Sequence, residues 1–211
     1  MAVADSPSKE LNTNWEHPDA VARTLAKLDA TPEDLALPER ISRHMKVCID
    51  ADGEEREVQF RELVRGGPSR TQRMLVIGRC SLLPHPPTVK VEGARLERFR
   101  VDLPTLTCAF ELILDRPLTT GELAMVQTTI RYPGQRDNFA EWRVRPSVRD
   151  FGIQVEFDPS RLPSQCVYYY RPSTVEPKRI LVSAGSTDTM QFATLDPTPG
   201  IYGVQWDWPE A

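Results

Sequence analysis

Apolar and polar residues alternate with a period of two along most of the chain, from Ser42 to Trp208. The clearest example begins at Leu106, where the residues facing one way are Leu106, Cys108, Phe110, Leu112 and Leu114. Successive side chains of a β-strand point to opposite faces of a sheet, so this pattern is typical of a strand with one buried face. A helix repeats its apolar face every three or four residues, and that spacing is not found in this part of the sequence.

About a dozen such segments follow one another, separated by turn signals. Short strands joined by turns are typical of antiparallel sheets, and an open sheet of more than ~10 strands tends to curl or split. The sequence therefore predicts an all-β fold, an antiparallel two-sheet β-sandwich of about a dozen strands over residues 42–211. The closing stretch Pro199–Trp208 is expected to anchor the core, because one face carries Tyr202, Val204, Trp206 and Trp208.

The beginning of the chain follows different patterns. Residues 1–14 are polar and rich in turn formers, which predicts a disordered tail. Residues 15–41 are expected to form a short helical segment, since Val21, Leu25 and Leu28 recur at helical spacing. This segment is acidic and has no basic recognition helix, so direct binding to DNA is not expected.

The residue types that carry catalysis or bind metals form no recognisable motif. The four cysteines lie far apart in the sequence, and none of the three histidines stands at a ligand spacing from another or from a cysteine. We therefore expect neither a metal nor a cofactor, and no catalytic residue is assigned. The carboxylates of Glu111, Glu156 and Asp158 fall on the polar faces of their strands and are expected to be solvated.

Nothing in the sequence directs the chain to a membrane or to secretion. No apolar run approaches the ~20 residues needed to cross a bilayer. The first residues have neither the basic flank nor the apolar region of a signal peptide. The sequence therefore predicts a cytoplasmic protein without membrane contact.

Charge is unevenly distributed along the chain. The net charge is −4, but residues 58–150 carry fifteen Lys and Arg against ten Asp and Glu, whereas both flanking parts are acidic. Guanidinium groups pair bidentately with carboxylates and phosphates and also stack on aromatic rings, so arginines beside aromatic residues are common on anion-binding and protein-binding surfaces. The predicted binding residues are Arg136, Trp142, Arg143, Arg145, Arg149 and Tyr169.

Three interpretations of this basic stretch are open. The acidic residues 1–57 can lie against the arginines and neutralise them within the chain. The arginines can instead face an anionic partner. They can also be solvated strand positions whose aliphatic stems cover the sheet.

Several stretches of the sequence share turns and core aromatics with a known family. They are the turn at Asp52-Gly53, the strand Phe151–Phe157 with its continuation Asp158–Pro163, the strand Cys166–Arg171 and the closing Pro199–Trp208. Over about residues 42–208 the chain resembles the C-terminal all-β region of actinobacterial Xre-type regulators, which follows a helix-turn-helix domain. The resemblance implies a sensing or interaction module. Residues 1–41 do not supply a complete DNA-binding domain, and no catalytic residue is carried over from the family.

Two classes of function follow from these observations. The first is a non-catalytic, regulatory module that binds a protein partner or a small anionic ligand, and a closed interior filled by side chains would favour it. The alternative is a small-molecule enzyme of bacterial secondary metabolism, which would need an enclosed cavity of roughly 300 Å³ or more with convergent polar groups inside the β fold. The sequence leaves the oligomeric state open.

Overall fold

The computed structural model describes residues 15–52, 56–80, 82, 85–132 and 136–209. The predicted disordered tail, residues 1–14, lies outside this part of the chain, as does Gly53 of the predicted turn. Neither helix found in the described part is long and apolar enough to span a membrane.

Two helical elements precede the strands. The helix α1 covers Pro18–Ala26 and a 3-10 helix covers Pro32–Ala36. The 3-10 helix begins with a capping box, in which the Thr31 backbone N–H donates to Asp34 Oδ2 at 2.8 Å.

The remaining elements of the described chain are thirteen strands. They are β1 Glu39–Ile49, β2 Arg56–Arg65, β3 Thr71–Arg79, β4 Thr88–Glu92, β5 Ala94–Asp102, β6 Thr107–Leu118, β7 Leu123–Tyr132, β8 Phe139–Val144, β9 Asp150–Phe157, β10 Gln165–Arg171, β11 Arg179–Ala184, β12 Thr189–Leu195 and β13 Gly200–Asp207.

The described strands form three sheets. A six-stranded sheet has the order β12-β9-β1-β2-β7-β4, a four-stranded sheet has the order β11-β10-β13-β8, and a three-stranded sheet has the order β3-β6-β5. The predicted all-β sandwich with a small N-terminal helical appendage is confirmed. It differs in detail from the two-sheet antiparallel arrangement, because β1 and β9 pair in parallel, with Ser42 opposite Asp150 and Ile49 opposite Phe157. Alternation in a sequence indicates which face of a strand is buried but not which strand lies beside it.

One hydrophobic core collects side chains from all three sheets. Its largest side chain is Trp206, which is 0% exposed and meets the edge of Phe157 at a ring separation of 5.5 Å. On the same strand, Tyr202 packs on Phe151 at 5.0 Å. The prediction that the closing strand anchors the core is therefore confirmed.

The helical appendage covers the outer face of the three-stranded sheet. Val21, Leu25 and Leu28 form a second apolar cluster with Leu75 and Ala109 of that sheet. Arg23 binds the Asp102 carboxylate through two hydrogen bonds of 3.1 Å each. These contacts turn the outer side of β3 and β6 into an internal surface.

Glu111 lies beneath this appendage and is only 3% exposed, so the prediction that it is solvated is wrong. Arg73 and Arg98 both bind its carboxylate. The same two arginines donate to the Leu28 carbonyl near the end of α1. The pKa of Glu111 is held below its ordinary value mainly by the hydrogen bond from Arg98.

Candidate functional site

A cavity of about 220 Å³ lies where the three sheets meet. Its walls come from β1 and β2 of the six-stranded sheet, β3 of the three-stranded sheet, β8 of the four-stranded sheet, and the residues before α1. It reaches the protein surface, because Glu16, His17 and Arg79 are exposed members of its lining. Among the described residues, the charged carboxylate and guanidinium side chains of the lining are Glu16, Asp137, Glu141, Arg40, Arg43, Arg56, Arg79, Arg143 and Arg145.

The middle of the cavity is apolar. β1 contributes Met45 and Val47, and the facing residues of β2 are Phe60 and Val58. These residues share one side of the six-stranded sheet because they alternate with Lys46, Gln59 and other polar positions. Across the cavity from β2, Trp142 of β8 stacks on Phe60 with ring centroids 4.4 Å apart.

One end of the cavity is formed by Arg40 and Arg43 around a buried carboxylate. Glu62 is 3% exposed, and its Oε1 lies 2.7 Å from Nε of Arg43 and 3.8 Å from Nε of Arg40. The shorter contact is an ion pair whose N–H is not aligned for a hydrogen bond. Burial lowers the pKa of Arg40 to about 10, and the Glu62 charge opposes that shift only in part.

Arg43 and Arg40 also join the sheets to one another. Arg43 Nη1 donates to the Arg143 carbonyl at 3.0 Å, and its guanidinium lies 4.3 Å from the Trp142 ring centroid. Arg40 donates to the carbonyls of Leu35 and Leu75 at 2.8 and 2.6 Å. The guanidinium groups at this end therefore stabilise the fold as well as line the cavity.

The N-terminal segment closes the same end. The Arg143 guanidinium lies 3.9 Å from the centroid of the Trp15 ring, a cation–π contact. Burial lowers the pKa of Arg143, and the nearby carboxylates of Glu141 and Glu16 oppose the shift. The N-terminal part of the chain thus contacts one arginine of the predicted binding stretch, while Arg143 and Arg145 still line the cavity.

The other end of the cavity holds Arg56. This residue is 9% exposed, and its Nη1 donates to the Phe139 carbonyl at 3.1 Å. Its Nε is buried and has no hydrogen-bond partner among the described residues. Burial lowers the pKa of Arg56, and the electrostatic interactions with Tyr132 and the Asp137 carboxylate oppose that shift. Arg40 and Arg43 at the opposite end of the cavity each have a buried Nε without a hydrogen-bond partner among the described residues as well, and so do Arg171 Nε and Trp206 Nε1 outside the lining. Arg56 differs from Arg40 and Arg43 in having no ion pair with a buried carboxylate such as Glu62 among the described residues.

The six sequence-predicted residues fall into three groups. Trp142, Arg143 and Arg145 line the cavity. Arg136 and Arg149 are exposed and lie outside its lining, and Arg149 forms an ion pair of 3.3 Å with Asp196.

Tyr169 lies one layer behind the cavity and is fully buried. Its hydroxyl donates to Glu141 Oε1 at 2.7 Å, and Arg171 binds both oxygens of the same carboxylate at 2.6 and 2.8 Å. Burial raises the pKa of Tyr169, and the Glu141 charge adds to the shift. Tyr169 therefore positions a cavity-lining carboxylate and presents no surface of its own.

Sequence reasoning missed Arg40, Arg43, Arg56 and Arg79, which lie far from Trp142 along the chain. A signal for two of them was present. Arg43 alternates in phase with Met45 and Val47, and Arg56 alternates in phase with Val58 and Phe60. An arginine on the apolar face of a strand is expected to point into the interior, where it needs a partner or a site.

The structure contains no group that would hold a metal ion within the described ranges: no three His, Cys, Asp or Glu side chains come close enough together. The four cysteines are free thiols, and three of them are buried, namely Cys80, Cys108 and Cys166. The cavity lining offers guanidinium groups, the carboxylates named above, the hydroxyls of Thr105 and Thr107, aromatic rings and apolar side chains.

No family model matches this chain, and no curated protein matches it. Among solved structures, the chain is similar to an M1 zinc metallopeptidase from Deinococcus radiodurans at 13% identity and a TM-score of 0.45, over 79% of this chain and 41% of that one. A mutant of that enzyme bound to a Tyr-Ser-Ala substrate is similar at 14% identity and a TM-score of 0.44, over 79% and 42% of the two chains. The chain thus spans less than half the length of these structures.

Proposed function

We propose that this chain is a non-catalytic binding module whose ligand is anionic and occupies the cavity between β1, β2, β3 and β8. The observation that carries the proposal is Arg56. Its guanidinium is buried against the cavity, has one backbone hydrogen bond, and keeps an Nε without a partner among the described residues. A carboxylate or phosphate accepts two parallel N–H bonds from such a group.

The balance of charge in the lining supports the same conclusion. Within the described part of the chain, six arginines line the cavity against three carboxylates. Charge pairs interact more strongly where low-dielectric walls exclude water, and the apolar middle of the cavity provides such walls. A protein partner would have to insert a carboxylate-bearing side chain to use this site, whereas a small anion can enter directly.

The regulatory part of the proposal rests on the resemblance to the C-terminal region of Xre-type regulators, which implies a sensing role. The alternative, a small-molecule enzyme, required an enclosed cavity of roughly 300 Å³ or more. The cavity here measures about 220 Å³ and has exposed residues in its lining. The interior is not filled by side chains either, so the choice of the binding module rests on the arginines of the lining.

The test is isothermal titration calorimetry at low ionic strength with a panel of carboxylates and phosphates, each paired with an uncharged analogue. We expect anions to bind and their uncharged analogues not to bind. Arg56→Gln should weaken anion binding by about tenfold or more, since a hydrogen bond to a charged group is worth about 1.5–3 kcal/mol.

The matched control is Arg149→Gln, which removes an exposed arginine outside the cavity and should leave affinity unchanged. Circular dichroism and urea unfolding are the measurements that check whether both variants fold. Arg79→Gln, at an exposed position of the lining, provides a second test with little risk to the fold. Absence of anion binding, or equal affinity of the Arg56→Gln variant and the parent, would overturn the proposal.

A further inference from the structure

We infer that the ligand carries two anionic groups, one at each end of an apolar spacer. This inference rests on the proposed function and makes it more specific. The cavity has arginines at both ends and apolar side chains between them, and a ligand complementary to it has the same order of groups.

The register of β1 and β2 establishes that order. Along β2, the residues facing the core run from Glu62 through Phe60 and Val58 to Arg56. Their partners on β1 place Arg43 beside Glu62 at one end and Ile49 opposite Arg56 at the other. The arginines are thus separated by two apolar cross-strand pairs.

The strand β8 spans the same two ends. Its Phe139 carbonyl accepts a hydrogen bond from Arg56, and its Arg143 carbonyl accepts one from Arg43. Arg145, just beyond β8, also lines the cavity, and its charge acts on both Arg40 and Arg43. The Arg43 end of the cavity therefore also contains Arg145, whereas Arg143 contributes its carbonyl there and places its guanidinium on the Trp15 ring.

The strand β3 runs between the ends as well. Its Leu75 carbonyl accepts a hydrogen bond from Arg40, which places Leu75 at the Arg43 end. A Cβ at Gly78 would lie 3.9 Å from the Tyr132 hydroxyl, and Tyr132 is the cross-strand partner of Arg56. Arg79, which follows Gly78, is therefore at the Arg56 end.

Size and polarity limit what can lie between the two ends. Glu62 and Arg56 are six residue steps apart on an extended strand, about 20 Å at ~3.4 Å per step. The arginine side chains extend inward from both ends and shorten the span that a ligand has to cover. The middle of this span is lined by Val47, Val58 and Phe60. A polar spacer would leave polar groups without partners against these three side chains.

The experiment is a calorimetric titration of the full chain with linear dicarboxylates of increasing length, from succinate to sebacate, and with the monocarboxylate of each length. We expect affinity to peak at one intermediate length, where the dicarboxylate binds about tenfold or more tightly than its monocarboxylate. Arg56→Gln and Arg145→Gln should each abolish that advantage. Arg149→Gln should preserve it.

The outcomes separate this inference from the function on which it rests. Equal affinity for mono- and dicarboxylates at every length would contradict the two-ended ligand while leaving an anion-binding module intact. If inorganic phosphate binds as tightly as the best dicarboxylate, that result would also contradict the two-ended ligand and leave the anion-binding module intact. If no carboxylate or phosphate binds, both proposals fail.

If Arg56→Gln does not fold, Arg79→Gln tests the same end of the cavity from an exposed position. Retention of the dicarboxylate advantage in the Arg79→Gln variant would contradict the inference.

Discussion

Two neighbouring strands of the four-stranded sheet meet the six-stranded sheet in opposite ways. β13 packs Tyr202 and Trp206 on aromatic residues of β9, and the space between them is filled. β8 is hydrogen-bonded to β13. It contacts the six-stranded sheet through the stack of Trp142 on Phe60, and arginines and a cavity lie beside that stack.

The difference shows how one pair of sheets provides both stability and a site. A filled interface contributes free energy through buried apolar area and close packing. A buried guanidinium contributes little and costs its desolvation, unless a partner charge is present. The aromatic half of the sandwich therefore stabilises the fold, and the other half contains a cavity in which Arg56 is buried with an Nε that has no partner among the described residues.

The largest expected effect is on the filled side. Trp206→Ala should lower the free energy of unfolding by about 3–5 kcal/mol, because it removes the largest fully buried side chain and leaves a cavity. Urea unfolding monitored by circular dichroism measures this change. The control is Trp208→Ala, a half-buried tryptophan that also packs on Phe157, which should cost clearly less. A loss below about 1 kcal/mol for Trp206→Ala would mean that β13 is peripheral to the core.

A smaller but still substantial effect is expected at the arginine end of the cavity. Glu62→Gln should destabilise the protein by about 3 kcal/mol, since Arg40 and Arg43 then keep two buried charges without a compensating carboxylate. The matched control is Glu39→Gln, whose partner Arg65 is exposed, and its cost should stay below about 1 kcal/mol. Equal costs for the two variants would show that the Glu62 charge does not stabilise this end.

The smallest effect is expected at Arg56 itself. Arg56→Met should change the free energy of unfolding by less than about 1 kcal/mol in either direction, because the lost hydrogen bond to Phe139 is offset by relief of a buried, partly unpartnered charge. The same variant should lose anion binding. If Arg56→Met lowers the free energy of unfolding as much as Trp206→Ala does, Arg56 stabilises the fold in the way Trp206 does, and the two halves do not differ as described.

The sequence predicted the members of the site only where they are close together along the chain. Trp142, Arg143 and Arg145 line the cavity as a group because they fall on and beside one strand, β8. Arg136 and Arg149 are equally near in sequence but lie outside the cavity lining. Arg43 and Arg56 precede Trp142 by 99 and 86 residues. The pairing of β1 with β2 and the packing of β8 against them place all three in the same cavity.

The two carboxylates Glu62 and Glu111 show the same limit. Glu111 occupies the polar face of the most regular strand in the sequence, and that face is internal because α1 covers it. Glu62 falls in the apolar phase of β2, as Val58 and Phe60 do, and it is buried between arginines of β1. Alternation distinguishes the two faces of a strand but does not reveal what covers each of them.

The sequence by itself determined the fold class, the helical appendage and the anchoring role of Trp206, because these depend on local periodicity and on the burial of large apolar side chains. Only the tertiary structure decided the parallel pairing of β1 with β9, the division into three sheets and the convergence of six arginines, among the residues described, on one cavity. The physical reason is that strand order and sheet packing depend on contacts between residues far apart in the chain. A period-two pattern is the same whichever strand becomes the neighbour.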